Sequence, residues 1–324
     1  MQHLDADRSH LTMNVNSQPN TAGGMRADIR GLAALGAGAC AISLAPVFVR
    51  LSDTGPTATA FYRLILAQPL LWVIVMSMER KSTNEPLAKG HMSGIRAMFP
   101  MLALAGVMFA LDMGFWHTSI HLTTMANSTL IANSAPFFVI IGAKFLLKER
   151  IPQKFYYLFP LALIGMSMLA RANLSTTGEA LMGDLCALIT AFFYGAYQLC
   201  VKHLRNSRIH PMIILAFSGI PAALILLTGA VVFNERLVPE NPASWWALLG
   251  LAWFSHIGGQ GLIVYAFGHL PAGVASLGLL LQPVIVIFLG WMLQDEKMDG
   301  IQIVGAVLLL TALYLASRKP ASGN

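Results

Sequence analysis

The sequence predicts an all-α integral membrane protein with ten transmembrane helices in two inverted five-helix repeats. Of its 324 residues, 56% are hydrophobic and only 11% are charged, whereas about a quarter of the residues in a soluble domain carry a charge. Ten apolar runs are long enough to cross a bilayer as helices. A proline also precedes a glutamate by thirteen positions twice, in Pro136 with Glu149 and in Pro283 with Glu296. Such a repetition in an apolar background indicates a duplicated membrane unit.

The first predicted repeat covers residues 31–171 and contains five apolar runs. Residues 1–30 are polar and lack a hydrophobic pattern, so we expect a disordered cytoplasmic tail before it. Pro136 lies near the middle of the fourth run, where we expect a kink because proline removes one backbone hydrogen bond. The predicted helices of this repeat are 31–50, 57–78, 97–118, 122–147 and 153–171.

The second predicted repeat covers residues 183–317 and again contains five apolar runs. Trp245 and Trp246 begin the eighth run and are typical of aromatic side chains at a membrane interface. Pro283 has the same place in the ninth run that Pro136 has in the fourth. The predicted helices of this repeat are 183–201, 211–233, 243–268, 271–293 and 299–317.

The distribution of Lys and Arg predicts the orientation of the chain. Fourteen of them fall on the membrane side that holds the N-terminus, and the opposite side has only Arg50, Arg171, Arg236 and Lys297. Because cytoplasmic loops are enriched in positive charge, we expect both termini to be cytoplasmic. Five crossings are an odd number, so the second repeat enters the membrane in the opposite sense. Glu149 and Glu296 then lie at opposite faces, and we interpret them as helix caps or gate contacts.

Several short motifs carry a resemblance to a known family. Phe61-Tyr62-Arg63 lies early in the second helix, Gly183-Asp184-Leu185 opens the sixth, and Gly305 lies in the tenth. With the repeated proline–glutamate spacing and the helix count, the chain resembles the drug/metabolite transporter superfamily, in its EamA-type ten-helix branch. The resemblance implies a transporter of the bacterial inner membrane that exports small organic solutes, often amino acids or related metabolites.

Two charged side chains within predicted helices are functional candidates, because an uncompensated charge in the bilayer centre costs at least about 2.5–3.5 kcal/mol. Arg63 in the second helix and Asp112 in the third lie at matching depths, about six residues from the outer ends at roughly 1.5 Å per residue. One interpretation is a structural ion pair that fixes the two helices together. A second is that Asp112 binds a substrate amine or a proton, and a third is that the two residues are unpaired or hydrated.

Further polar residues of the third, fourth, sixth, eighth and ninth helices could line a pathway or form hydrogen bonds between helices. Pro136 and Pro283 free a backbone carbonyl one turn earlier, so we treat them as hinge candidates, with simple helix bending as the alternative. The tyrosines of the sixth helix would suit an apolar or aromatic substrate, or belong to ordinary packing. The pathway candidates are Asp112, Trp116, His117, Asn133, Ser134, Tyr194, Tyr197, Gln198, His256, Gln260, Tyr265 and Gln282.

These observations together predict a secondary transporter that exports small organic metabolites, above all amino acids and among them aromatic or other apolar ones, by alternating access. Its cavity would lie between helices three, four, eight and nine, with helices one and six at its sides. Asp112 or His256 would couple transport to protons, although a neutral hydrogen-bonded histidine also explains His256. An uncoupled facilitator or channel for metabolites or cationic drugs is the alternative.

Motifs of other function classes are missing from the sequence. It contains no His-Glu-x-x-His, no Gly-x-Ser-x-Gly and no Gly-x-x-x-x-Gly-Lys-[Ser/Thr] motif. We therefore expect no enzymatic activity, no cofactor and no metal. The basic residues lie in short loops and reflect membrane topology rather than nucleic-acid binding. The expected partners are a small-molecule substrate and the lipid bilayer, and no sequence pattern indicates an oligomeric state.

Overall fold

Helices account for the regular secondary structure of the part of the chain that the structure describes. This computed structural model describes residues 29–82, 88–123, 125–149, 151–170, 178–285 and 300–317. Glu296 and the predicted tail lie outside these ranges, except that the last two tail residues begin the first helix. The helices are α1 (Ile29–Ile42), α2 (Ala45–Leu51), α3 (Pro56–Ile65), α4 (Gln68–Ser82), α5 (Ala88–Leu122), α6 (Met125–Ala132), α7 (Ala135–Phe145), α8 (Lys154–Ala170), α9 (Gly178–Asn206), α10 (Pro211–Val232), α11 (Pro242–Leu249), a π-helical segment (Gly250–Gln260), α12 (Gly261–Phe267), α13 (Ala272–Gly278) and α14 (Gly300–Ser317).

Among the described residues, six helical segments are long and apolar enough to cross a membrane, judged by length and composition. Shorter apolar helices cover parts of the predicted fourth, ninth and tenth helices, and α8 corresponds to the predicted fifth. The all-helical membrane architecture is thus confirmed, whereas the count of ten crossings and the inversion of the repeats stay predictions. The six long segments are Ile29–Leu51, Pro56–Met78, Arg96–Leu122, Gly178–Asn206, Pro211–Val232 and Pro242–Phe267.

Several predicted helices are interrupted shortly before a proline. Breaks separate α1 from α2, α3 from α4 and α6 from α7, and Pro46, Pro69 and Pro136 each occupy the second position after the break. A fourth break follows α13, and the chain is helical again at 281–285, around Pro283. The cause is the same each time, because a proline ring clashes with the carbonyl of the preceding turn and donates no hydrogen bond.

The predicted eighth helix changes its winding within the membrane segment. Between α11 and α12, Gly250–Gln260 forms a π-helical segment of eleven residues, whereas the sequence predicts a uniform helix. Glycines here allow α1 to approach closely, since a Cβ at Gly259 would lie 2.7 Å from Cγ1 of Ile42, and a Cβ at Gly38 would lie 2.9 Å from the carbonyl oxygen of Gly259. π-helical turns are rare and occur frequently at functional sites.

The connections between helices gather at two ends of the helix bundle. The first end holds connections 52–55 and 233–241, which are joined by a hydrogen bond from the amide of Gly55 to the carbonyl of Arg236 (3.0 Å). The second end holds connections 146–149 and 268–271, and Glu149 accepts a hydrogen bond there from the amide of Ala272 at the start of α13. Between the two ends, α5 packs against α9 and α10, and α8 packs against α14.

Two glycines near helix starts make corresponding contacts in the two halves of the chain. A Cβ at Gly31, in α1, would lie 2.9 Å from the Cβ of His269. A Cβ at Gly183, in α9, would lie 2.8 Å from the Cβ of Thr123. Each glycine therefore lets the first helix of one half pack closely on the helical hairpin connection of the other half.

Candidate functional site

A cavity lies among the broken helices, and most of the main helical segments contribute to its wall. It encloses about 640 Å³ of space between atoms, including space that is open to solvent. Its lining combines apolar side chains with charged, amide and hydroxyl groups. The lining residues are Ile42, Ser43, Pro46, Arg63, Asp112, Met113, Trp116, Thr129, Ala132, Asn133, Thr190, Tyr194, Gln260 and Gln282.

The cavity lies inside the helix bundle, between its two ends. Arg63 follows the start of α3 by seven residues, which is about 10 Å at 1.5 Å per residue. Asp112 precedes the end of α5 by ten residues, or about 15 Å. Gln282 follows the start of α13, at the opposite end of the bundle, by ten residues. Residues that enter from both ends therefore meet at the same cavity.

Arg63 and Asp112 both line this cavity without forming a direct ion pair. Each residue is only 2% exposed. Arg63 Nε and Asp112 Oδ2 have no hydrogen-bond partner among the described residues, and no nitrogen of Arg63 lies within 4.0 Å of an Asp112 oxygen in this part of the chain. The direct pair that the sequence suggested is therefore not formed. The two buried side chains, one basic and one acidic, instead line one cavity without a direct ion pair.

The helix breaks supply polar groups to the cavity wall. At the break between α6 and α7, Asn133 Nδ2 donates to the carbonyl oxygen of Thr129 at 2.7 Å. At the break between α1 and α2, Ser43 Oγ lies 2.7 Å from the carbonyl oxygen of Ala39 and 3.4 Å from that of Gln282. The breaks at Pro46 and Pro283 thus meet each other at the cavity.

Half of the predicted pathway residues line the cavity. These six are Asp112, Trp116, Asn133, Tyr194, Gln260 and Gln282. The lining includes residues of the predicted helices three, four, eight and nine, and residues of helices one and six. Arg63 adds the second helix to the wall, which the predicted cavity did not include.

The other six predicted pathway residues have different surroundings. His117 Nδ1 lies 2.9 Å from the carbonyl oxygen of Pro56, and Ser134 Oγ donates to the carbonyl oxygen of Ile131 at 2.7 Å. Tyr265 stacks on His269 with ring centroids 4.2 Å apart. These three residues make contacts elsewhere and are not among the residues that line the cavity.

The remaining three, Tyr197, Gln198 and His256, lie in a buried layer behind the cavity. The Phe109 ring stacks on both aromatic members of this layer, with centroids 4.5 Å from Tyr197 and 5.7 Å from His256. Neither ring nitrogen of His256 and neither amide atom of Gln198 has a hydrogen-bond partner in the described part of the chain. This layer therefore holds polar groups next to the cavity without contributing to its surface.

Seven lining residues were not predicted from the sequence. A lone serine, threonine or small apolar residue in an apolar run has no feature that separates a cavity wall from ordinary packing. The one usable signal was Pro46. The reasoning that we applied to Pro136 and Pro283 also predicts a helix break and a free backbone carbonyl near Ser43. The seven residues are Ile42, Ser43, Pro46, Met113, Thr129, Ala132 and Thr190.

The first end of the bundle is held together by carboxylates that bind backbone amides. Asp53 Oδ2 accepts from the amides of Glu240 (3.0 Å) and Asn241 (2.8 Å), and Glu235 Oε2 accepts from the amide of Ala58 (2.8 Å). The Asn241 amide is the main cause that lowers the pKa of Asp53, because hydrogen bonds to the carboxylate favour its charged form. These bonds tie the α2–α3 and α10–α11 connections together.

The second end is closed by a cluster around Lys202, which we call the Lys202 clasp. Lys202 Nζ donates to the carbonyl oxygens of Phe267 (3.1 Å) and Leu270 (2.8 Å) and lies 3.7 Å from Glu149 Oε1. Glu149 Oε2 in turn accepts from the amide of Ala272 at 3.1 Å. Glu149 thus satisfies an amide at the start of α13, as a helix cap does, and the clasp joins α9 to the α12–α13 connection.

Comparison with known proteins places these features in a family. The EamA-like transporter family model matches residues 29–171 and again 181–318. The pseudopaline exporter CntI of Pseudomonas aeruginosa is 28% identical over 221 residues, 68% of this chain and 75% of its own. A probable amino-acid metabolite efflux pump of Escherichia coli is 28% identical over 58% of this chain and 66% of its own.

Two further similarities extend the comparison. The riboflavin transporter ImpX of Fusobacterium nucleatum is 23% identical over 61% of this chain and 67% of its own. A crystal structure of a protein superposes with a TM-score of 0.69 at 15% identity and covers 87% of this chain and 95% of that one, which supports the fold. Because the family model matches both halves of the sequence, the chain belongs to the EamA-like transporter family and is a multi-pass membrane protein.

Proposed function

We propose that this protein is a secondary transporter that exports small organic metabolites, above all amino acids, across the bacterial inner membrane by alternating access. The observation that carries the proposal is the buried cavity with Arg63 and Asp112 on its wall, in a chain of a transporter family. Two similar proteins are named as exporters or efflux pumps, one of them for amino-acid metabolites. The apolar part of the wall, with Trp116, favours substrates with an apolar or aromatic side chain.

In this proposal the two repeats, 31–171 and 183–317, move against each other around the cavity. The matching contacts of Gly31 with His269 and of Gly183 with Thr123 support two related halves. The breaks before Pro136 and Pro283 supply the hinges, because a helix without continuous hydrogen bonds bends at low cost. The distribution of positive charges favours a cytoplasmic second end and an outer first end, with both termini cytoplasmic.

The direct test reconstitutes the purified protein in proteoliposomes and measures the uptake of each amino acid of a labelled panel. We expect saturable uptake that accelerates when the same unlabelled amino acid is loaded inside, because a carrier returns faster with substrate bound. Protein-free vesicles are the control. Uptake that is neither saturable nor stimulated from the opposite side would indicate the alternative, a channel or uncoupled facilitator. The export proposal fails if folded protein moves no metabolite of a panel extended to peptides, nucleosides and cationic drugs.

The same vesicles test proton coupling at the two candidate groups. Asp112 lies on the cavity wall, and His256 lies behind it with two ring nitrogens that have no partner in the described part of the chain. We expect either Asp112→Asn or His256→Ala to remove the dependence of uptake on an imposed pH gradient. If both variants keep wild-type transport and wild-type pH dependence, neither group couples transport to protons.

A further inference from the structure

The cavity presents one basic and one acidic side chain that do not form a direct pair with each other. In the interior of a bundle, a charged group without a partner is costly, and a direct ion pair would reduce that cost. Yet the guanidinium of Arg63 and the carboxylate of Asp112 form no ion pair within 4.0 Å in the described part of the chain, and each keeps a buried atom without a partner. A ligand that carries both a positive and a negative charge would give each of the two residues an oppositely charged partner.

We propose that the cavity binds a zwitterionic α-amino acid, with the α-carboxylate at Arg63 and the α-ammonium group at Asp112. This inference depends on the proposed function, because it specifies the substrate of the same cavity. A purely cationic ligand would leave Arg63 uncompensated, and a purely anionic one would leave Asp112 uncompensated. Charge compensation therefore selects ligands with both groups over ligands with one.

The chemistry of the two residues fits the two ends of an amino acid. The planar guanidinium of Arg63 can hold a carboxylate with two parallel hydrogen bonds. An ionised carboxylate such as Asp112 only accepts hydrogen bonds, and an ammonium group only donates them. Asn133, Tyr194 and Gln282 supply neutral polar groups on the same wall, and these can satisfy the atoms that the two charges leave free.

The apolar residues of the lining add a requirement for the rest of the ligand. Ile42, Met113 and Trp116 form an apolar surface on the cavity. Burying an apolar side chain there removes it from water, which stabilises the complex in proportion to the buried area. The inferred ligand is therefore an α-amino acid with an apolar or aromatic side chain, rather than a charged or strongly polar one.

The experiment compares ligands that lack one charge, with purified wild-type protein in detergent. Binding of L-phenylalanine, L-phenylalaninamide and N-acetyl-L-phenylalanine is measured by the shift of the unfolding midpoint, and a matching L-leucine series runs in parallel. We expect the amide, which lacks the carboxylate, and the N-acetyl form, which lacks the cation, each to bind at least about tenfold more weakly. An amide that binds as well as the amino acid, or an N-acetyl form that does so, overturns the zwitterion site.

Two variants assign the charges to the two residues. In Asp112→Asn, the N-acetyl form should bind as well as the amino acid, while the amide should still bind more weakly. In Arg63→Gln, the amide should bind as well as the amino acid, while the N-acetyl form should still bind more weakly. If the two residues had only a structural role, each variant would weaken the binding of all three ligands equally. Arg236→Gln and Glu240→Gln make the same changes of charge in a surface pair 3.2 Å apart and should keep both discriminations. If the two cavity variants do not fold, the comparison of the three ligands on the wild-type protein still tests whether the site requires both charges.

The proposed function and this inference can fail separately. If the proteoliposomes exchange a metabolite other than a zwitterion, and no phenylalanine or leucine derivative shifts the unfolding midpoint, the transporter stands and the zwitterion site is wrong. If amino acids bind with the expected charge requirement but no exchange is measured, the site stands and the transport function is wrong.

Discussion

Asp53 illustrates what one carboxylate contributes at the first end of the bundle. Its Oδ2 accepts hydrogen bonds from two successive backbone amides, those of Glu240 and Asn241, just before α11. These bonds lower the pKa of Asp53 in the folded protein, so the group favours folding when it is ionised. The stabilisation is therefore present at pH values above the pKa of an unfolded aspartate, which is 3.8. It is lost as the pH falls through the lower pKa of the folded state.

We predict that Asp53→Asn lowers the unfolding temperature at pH 7 and makes it less dependent on pH in the acidic range. The difference between wild type and variant should shrink as the pH falls below about 4, because the wild-type carboxylate then takes up a proton. The measurement is thermal unfolding in detergent between pH 3 and pH 7. Glu240→Gln is the control, since it removes a nearby exposed carboxylate and keeps the backbone amide that Asp53 binds. Equal unfolding curves for wild type and Asp53→Asn at every pH would contradict this role.

The Lys202 clasp acts between elements, because it joins α9 to the connection between α12 and α13. We predict that Lys202→Met opens the second end, since it removes two hydrogen bonds to backbone carbonyls and leaves Glu149 without its cation. Methionine keeps the apolar stem of the side chain, so packing changes little. Cys200, two positions earlier and buried, should then react several-fold faster with a maleimide supplied from the cytoplasmic side.

Two comparisons make this labelling experiment specific. Cys186 is also buried, lies in the same helix nearer the first end, and should keep its wild-type rate. Lys144→Met is the matched control, because Lys144 is exposed and its amine lies over the Phe145 ring at 5.7 Å. An unchanged rate at Cys200 in Lys202→Met would show that the clasp does not hold the second end closed. A parallel increase at Cys186 would indicate general loosening instead.

The helix breaks show what the sequence determines within an element and what it does not. Proline chemistry predicted kinks at Pro136 and Pro283 in otherwise continuous helices, whereas the structure has a break beside each of these prolines. The same chemistry explains the breaks at Pro46 and Pro69, which the apolar runs alone concealed. The π-helical segment had no comparable signal, because the wide winding of Gly250–Gln260 arises together with the close packing of α1 on its glycines.

At the scale of the whole molecule, composition and the repeated segment were enough to predict a helical membrane protein of this family. Charged residues inside apolar runs also led to Arg63 and Asp112. The sequence could not show that these residues share a cavity without pairing, because this depends on how seven segments of the chain rotate and pack together. His117 and His256 show the same limit, since helical spacing gives the face of a helix but not the neighbour that this face meets.

The central claim is that this cavity holds the substrate and opens to each side of the membrane in turn. The most direct measurement uses Thr129→Cys, a small substitution on the cavity wall, in a protein whose three native cysteines are replaced by serine. A membrane-impermeant maleimide is supplied to right-side-out and to inside-out vesicles, with and without L-phenylalanine or L-leucine. We predict labelling from both sides, and a several-fold slower rate from both when the amino acid is present. Labelling from one side only, or rates that saturating amino acid leaves unchanged on both sides, would contradict the claim.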